Sequence, residues 1–209
     1  MSATVIRNGR IVTAVDDYKA DILMEDGRVR MIGTDLPVGE GVAEHDASGL
    51  LVLPGGVDVH THLDWDFGPA RTADTFYTGS QAGAFGGTTT IVDFAAQVKG
   101  SSPLAGLADW HERASVAAVD VGAHMILTEV NDQILVDMKS LIHDEGVTTF
   151  KLFTAYPDVL MIDDGSTSRP CAWSAATAEW CRSMPRTAMS STCWCRRRWR
   201  PATPARSGI

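Results

Sequence analysis

The first 164 residues contain no cysteine, which excludes a disulfide framework there. No apolar run comes near the roughly 20 residues of a membrane span. The opening segment, Met1 to Asn8, lacks the long apolar core of a signal peptide. A cytoplasmic protein with no membrane partner is expected. Cations are also scarce: the 209-residue chain carries a net charge of −8, which argues against nucleic acid as a partner. The scarcity is uneven. Through Asp164 there are 10 Lys+Arg against 25 Asp+Glu. From Gly165 onward there are 8 arginines, no lysine, no histidine and a single acid, Glu179. All four cysteines (Cys171, Cys181, Cys193, Cys195) and four of the six tryptophans fall in this last stretch.

What is present before the break has a clear rhythm. Residues 1 to about 53 read as short strands and turns. Val5-Ile6 leads into Arg7-Asn8-Gly9-Arg10, and Ile11-Val12-Thr13 follows. Asp21 to Met24 precedes Glu25-Asp26-Gly27, with Val29 to Gly33 beyond. Asn-Gly and Asp-Gly between apolar runs are hairpin signals, so a small β-sandwich is expected. After Pro54 the pattern alternates strand and helix. Strands are expected near 56–60, 88–94, 122–127 and 147–153, and helices near 73–84, 104–117 and 132–145. Strands spaced by helices imply βαβ units and a parallel sheet. A closed (β/α)8 barrel takes about 250 residues, so these units make about half of a TIM-like barrel. The expected fold class is therefore α/β. It comprises a partial barrel over 54–164, a small N-terminal β-sandwich over 1–53, and an aberrant tail over 165–209.

The chemistry starts at Gly55-Gly56-Val57-Asp58-Val59-His60-Thr61-His62. In a strand, residues i and i+2 point to one side. His60 and His62 can thus aim two imidazoles at one point, as a metal site needs, at a strand end, where barrel enzymes keep their chemistry. Asp58 can steady an imidazole by a hydrogen bond. Lys151 sits in an otherwise apolar strand, between Phe150 and Leu152. Burial disfavours a charged lysine. A neutral amine reacts with carbon dioxide to give an anionic carbamate, able to bridge two cations; the competing reading is a lysine that snorkels to the rim. Tyr156 can donate to a substrate oxygen or a developing oxyanion, or simply pack on the rim. Leu63, Trp65 and Phe67 can wall a substrate site or cover the core. His124, inside an apolar strand, reads as a core histidine with satisfied nitrogens. His45, His111 and His143 show no partner pattern.

Residues 1–164 resemble the N-terminal part of the dihydropyrimidinase/hydantoinase group of the amidohydrolase superfamily. The segments that carry the resemblance are Leu53 to Asp64, Ala84 to Phe94 and Phe150 to Tyr156, in order and at family-like spacing. The resemblance implies a β-sandwich plus a metal-dependent barrel. It implies two Zn2+ ions, with His60 and His62 as ligands of one and carboxylated Lys151 bridging both. It further implies that Tyr156 contacts the cyclic amide and that the loop from Leu63 to Phe67 shapes specificity. The implied reaction is hydrolysis of a cyclic amide C–N bond, with homotetramers common in the family. Related dihydroorotases typically place an arginine two residues after the second histidine. Here that residue is Asp64, which favours neutral rings such as dihydrouracil or hydantoins. Allantoinase- or dihydroorotase-like activity is the alternative within the superfamily. A non-catalytic relative acting through protein interaction is a further one, but the presence of His60, His62 and Lys151 counts against it.

The family also uses two further histidines and an aspartate from later strands, and none has a counterpart after Asp163-Asp164. The tail reads as the product of a shifted reading frame. Met184-Pro185 in the next frame forces Ala, and Trp180-Cys181 and Trp194-Cys195 force Val. Permitted GC-rich codons then yield a strand, a His-Ala-Glu sequence and an amphipathic helix from about Ser174. The rival reading is a genuine basic extension, in which Arg196-Arg197-Arg198 forms a patch for nucleic acid or an acidic partner. On the shifted-frame reading the chain alone is expected to be inactive or nearly so, or to co-assemble with a full-length partner.

Overall fold

The computed structural model describes residues 3–157, 159–163, 165, 166, 168, 169 and 182–184. The chain divides into two units, Met1–Gly56 and Val57–Ile209.

The first unit is a five-stranded sheet built from β1 (Ala3–Val12), β2 (Asp17–Glu25), β3 (Arg28–Gly33), β4 (Ala43–Asp46) and β5 (Leu51–Val52). Its order is β3-β2-β1-β4, with β5 also paired to β1. Where the sequence suggests a sandwich, the described residues supply one layer. Asp26 and Gly27, at φ 48° and 75°, make the hairpin turn between β2 and β3, since a two-residue turn of this hand needs positive φ at both positions. Asn8-Gly9 does something else. Asn8 also has positive φ (60°), but β1 runs straight through it and the register with β2 shifts between Ile6 and Gly9. Two residues oppose one there, which is a β-bulge. Asp21 explains it: this buried carboxylate accepts from Asn8 N (2.9 Å), Arg7 Nη1 (3.0 Å) and Leu36 N (3.2 Å). The apolar residues form two small clusters, around Val5, Leu23 and Leu36 and around Ile11, Ala20 and Ile22. Adjacent strand residues such as Ile22 and Leu23 point to opposite faces, so each face of the sheet carries one cluster.

The second unit alternates strand and helix. Its elements are β6 (Gly56–Asp58), the small hairpin β7 (Asp66–Phe67) and β8 (Ala70–Arg71), α1 (Phe76–Phe85), β9 (Thr88–Ala96), α2 (Pro103–Ala114), β10 (Asp120–Leu127), α3 (Asp132–His143), β11 (Phe150–Phe153) and β12 (Arg182–Met184). The sheet order is β12-β11-β10-β9-β6, and β9, β10, β11 and β12 pair in parallel. This is a curled half-barrel sheet in a mixed α/β fold. β12 falls in the stretch expected as an aberrant tail. The rest of that tail, including its four cysteines, lies outside the described residues apart from 165, 166, 168 and 169.

Local chemistry sets the helix ends. Thr75 caps α1 in a capping box with Thr78, Ser102 caps α2 ahead of Pro103, and the Asn131 side chain accepts from Ile134 N to start α3. Gly87, at φ 86°, ends α1 in the left-handed conformation that a residue with a Cβ disfavours. No helix among the described residues is long and apolar enough to cross a membrane.

Side chains on β9, β10 and β11 alternate between two faces. Ala95, Met125, Leu127, Phe150 and Leu152 join Phe76, Leu107, Trp110, Ile134, Met138 and Leu141 from the helices in the main core. Each large apolar side chain fully buried there stabilises by roughly 1.5–3 kcal/mol. Phe94, Ala96, Ile126 and Phe153 face the other way and pack with Trp65 and Leu160.

Candidate metal centre

The site is built where β6 ends and on the second face of β9–β11. β6 stops at Asp58, two residues short of the expected strand, and the chain continues as a loop through His60 and His62. Asp58 Oδ1 accepts from the backbone N–H of His60 (3.1 Å). This bond fixes the peptide that carries His60. His124 secures the preceding peptide. Its Nε2 lies 3.1 Å from Val59 O, and its Nδ1 pairs with Thr149 Oγ1. A carbonyl can only accept, so Nε2 carries the proton and Nδ1 accepts from the threonine hydroxyl. Both nitrogens of His124 are satisfied, as its setting in an apolar strand suggests.

His60 and His62 sit together with ring centroids 5.3 Å apart. Both rest on the Phe94 ring, at 4.7 Å for His60 and, stacked, at 4.8 Å for His62. Lys151 reaches the same ring. Its Nζ lies 3.9 Å from the Phe94 centroid, 4.9 Å from that of Phe153, and 3.5 Å from His60 Nε2. Lys151 is buried, at 6% exposure. Register explains the convergence: Phe94 pairs with His124 across β9–β10, and Ile126 with Lys151 across β10–β11. Neighbouring strands therefore present these residues on one face. Burial, and next the charge of Lys151, push the His62 pKa down to about 4. His62 is thus a neutral imidazole at physiological pH, the form that binds a metal.

The donor set can be tested against a metal. Among the described residues no cluster of three or more His, Cys, Asp and Glu side chains stands ready for an ion. The convergent groups are two imidazoles and one amine. They fit one divalent cation once Lys151 carries an oxygen donor, because imidazole and carboxylate-type oxygen are both zinc ligands.

The flanking residues separate by role. Trp65 lies 4.8 Å from the His62 ring and packs against the Phe94, Ile126 and Phe153 cluster, so it borders the site. Leu63 turns to the helix-side core, and a Cβ on Gly79 of α1 would meet Leu63 Cδ2 at 2.5 Å. Phe67 lies in β7, and its side chain is outside the described residues. Tyr156 follows β11 with its ring 5.8 Å from that of Phe153, is 61% exposed, and holds the left-handed φ of 65°. A bulky residue adopts that φ rarely. Its carbonyl accepts from Val159, Leu160 and Met161 N–H groups (3.0–3.2 Å), which hold this turn.

Sequence reasoning missed Asp93 and Phe94. The signal was a lone acid in the apolar run Ile91 to Ala96. Asp93 points to the helix side, is fully buried, and touches Thr61, Leu63 and Trp110. Phe94, pointing the other way, is the floor of the site.

Parallel βα units that gather imidazoles and an amine at strand ends have the layout of barrel enzymes. No protein-family model matches the chain. Individual proteins do. The chain is 51% identical over 173 residues to a D-hydantoinase of Streptomyces coelicolor, covering 80% of this chain and 37% of that protein. It is 42% identical over 167 residues to a dihydropyrimidinase of Rattus norvegicus, covering 77% of this chain and 32% of that one. The crystal structure of a dihydropyrimidinase from Brevibacillus agri superposes with a TM-score of 0.82 at 42% identity, over 87% of this chain and 39% of that chain. By sequence and fold the chain is a relative of the hydantoinase and dihydropyrimidinase group. It spans 32–39% of the length of these relatives.

Proposed function

We propose that the chain belongs to a zinc-dependent cyclic amidohydrolase that opens the C–N bond of dihydropyrimidine or hydantoin rings. The observation that carries the reading is the buried amine of Lys151, 3.5 Å from His60 Nε2 on the ring that also supports His62. The relatives named D-hydantoinase and dihydropyrimidinase support the same substrate class. In this reading the Lys151 nitrogen bonds to the carbon of CO2 and loses a proton, leaving a carbamate. His60, His62 and the carbamate of Lys151 would hold zinc there. Bound zinc supplies the Lewis acidity that activates water near neutral pH and polarises the ring carbonyl.

The remaining steps fall to side chains of the chain. Tyr156 donates to the carbonyl oxygen as negative charge develops on it. Trp65 shields one side of the ring from solvent. Water adds to the carbonyl carbon, the C–N bond breaks, and the nitrogen leaves with a proton as an open-chain ureido acid. Asp64 stands two residues past His62, where related dihydroorotases typically carry an arginine for a substrate carboxylate, so neutral rings are preferred. The complete enzyme is read as cytoplasmic; the homotetramer common in the family is not carried over to this chain alone.

The test is zinc content by mass spectrometry together with turnover of dihydrouracil and hydantoin, which the chain alone should carry out weakly or not at all. The wild-type chain should take up zinc and a His60→Ala/His62→Ala variant should not. Equal zinc in the two, or preferential turnover of a carboxylate-bearing ring, overturns the reading.

A further inference from the structure

Asp93 is a fully buried carboxylate with only neutral donors around it, which is costly unless every lone pair is used. Oδ2 accepts from Thr61 Oγ1 (2.7 Å) and Leu63 N (2.8 Å). Oδ1 accepts from Phe94 N (2.7 Å) and Trp110 Nε1 (3.3 Å). Two of these donors flank or separate the histidines: Thr61 lies between His60 and His62, and Leu63 follows. We propose that Asp93 is a positioning residue that fixes the direction of the His60/His62 pair. This rests on the metal reading of that pair.

Geometry makes the link. Thr61 turns its hydroxyl to Asp93 on the helix side, whereas His60 and His62 lie against Phe94 on the other. Tying Thr61 Oγ1 to a rigid strand on the helix side fixes the roll of the His60-Thr61-His62 tripeptide. The imidazoles are thereby turned to the other side, onto Phe94. The Asp93-Phe94 dipeptide grips the tripeptide from both sides: the carboxylate holds its back and the ring supports its front. The upstream peptide is held independently by Asp58 on His60 N and by His124 on Val59 O. Asparagine cannot replace Asp93. With its oxygen at the Oδ1 position, its NH2 faces Leu63 N–H; with the oxygen at Oδ2, the NH2 faces Phe94 N–H and Trp110 Nε1–H. Either way donor meets donor.

The experiment compares zinc affinity, by competition with a chromophoric chelator, and amide hydrogen exchange at Leu63 in the metal-free chain. Asp93→Asn should lose protection at Leu63. Thr61→Val should weaken zinc binding about tenfold or more, the usual cost of losing a partner that orients a metal ligand, and Thr61→Ser should restore it. Leu141→Ala, a core change in α3, should lower the melting temperature without moving zinc affinity. Wild-type zinc affinity in Thr61→Val, or equal Leu63 protection in Asp93→Asn, overturns the proposal. A wild-type chain that takes up no zinc overturns the metal reading instead, and Leu63 exchange then decides the anchor by itself.

Discussion

The two faces of the parallel sheet are made by alternate residues of the same strands, yet they do different work. On β9, β10 and β11, Ala95, Met125, Leu127, Phe150 and Leu152 meet the helices in a continuous apolar core. One residue along, Phe94, His124, Ile126, Lys151 and Phe153 form the other face, with nitrogen groups among aromatic rings. The lesson is that stability and chemistry are separated by strand period, not by segment. A substitution on one face should be read as packing, and its neighbour as site chemistry.

That contrast can be broken or sharpened by mutation. The largest effect is expected from Trp110→Ala on the helix face. It empties a fully buried position and removes a donor to Asp93. A loss of about 3–5 kcal/mol is expected, read from denaturant unfolding. Gly106→Ala comes next. A Cβ there would meet the backbone oxygen of Ala96 at 2.2 Å, so α2 must move off β9, at a cost of about 1–3 kcal/mol. Gly79→Ala should cost less, because its obstacle is the flexible end of Leu63; equal costs would mean that the helix spacing is soft.

On the opposite face, Lys151→Met should behave in the reverse sense. The buried amine gives way to an apolar chain, so stability should change by less than about 1.5 kcal/mol in either direction while zinc uptake is lost. A collapse of the fold in this variant would mean that Lys151 is structural.

The smallest effect concerns the first unit. Asp21, like Asp93, is buried and holds backbone N–H groups, but it also has a guanidinium partner, Arg7. The Asn8 N–H, and next the Arg7 guanidinium, hold its carboxyl below the usual range. A depressed carboxyl contributes stability that is fully present above its unfolded pKa of about 3.9 and is lost as pH falls from there through the folded value. Asp21→Asn should flatten that part of the acid unfolding curve and leave the neutral region unshaped by pH. An unchanged acid limb would place the sensitivity elsewhere.

How much of this was legible in the sequence depended on whether the signal was local. The strand–helix alternation was, because Thr75, Ser102 and Asn131 cap and Gly86-Gly87 and Gly146 stop within a few residues of the observed ends. β11 starts at Phe150 rather than 147 because Val147 still closes the end of α3, its N–H donating to Leu141 O. Asn8-Gly9 misled, since a positive-φ residue marks a bulge as readily as a hairpin, and only the distant carboxylate of Asp21 decides between them. The pair His60/His62 and the buried strand lysine stood out by spacing and by setting. Asp93 did not, because its donors come from positions 61, 63, 94 and 110, which only the fold brings together.

The central claim is that Lys151 is an amine awaiting CO2 beside two imidazoles. Carbon-13 NMR of the chain in labelled bicarbonate and zinc tests it most directly. The account predicts a carbamate resonance that is lost in Lys151→Met and weakened in His60→Ala/His62→Ala. A wild-type spectrum with zinc bound and no carbamate carbon, or a carbamate that persists in Lys151→Met, would contradict it.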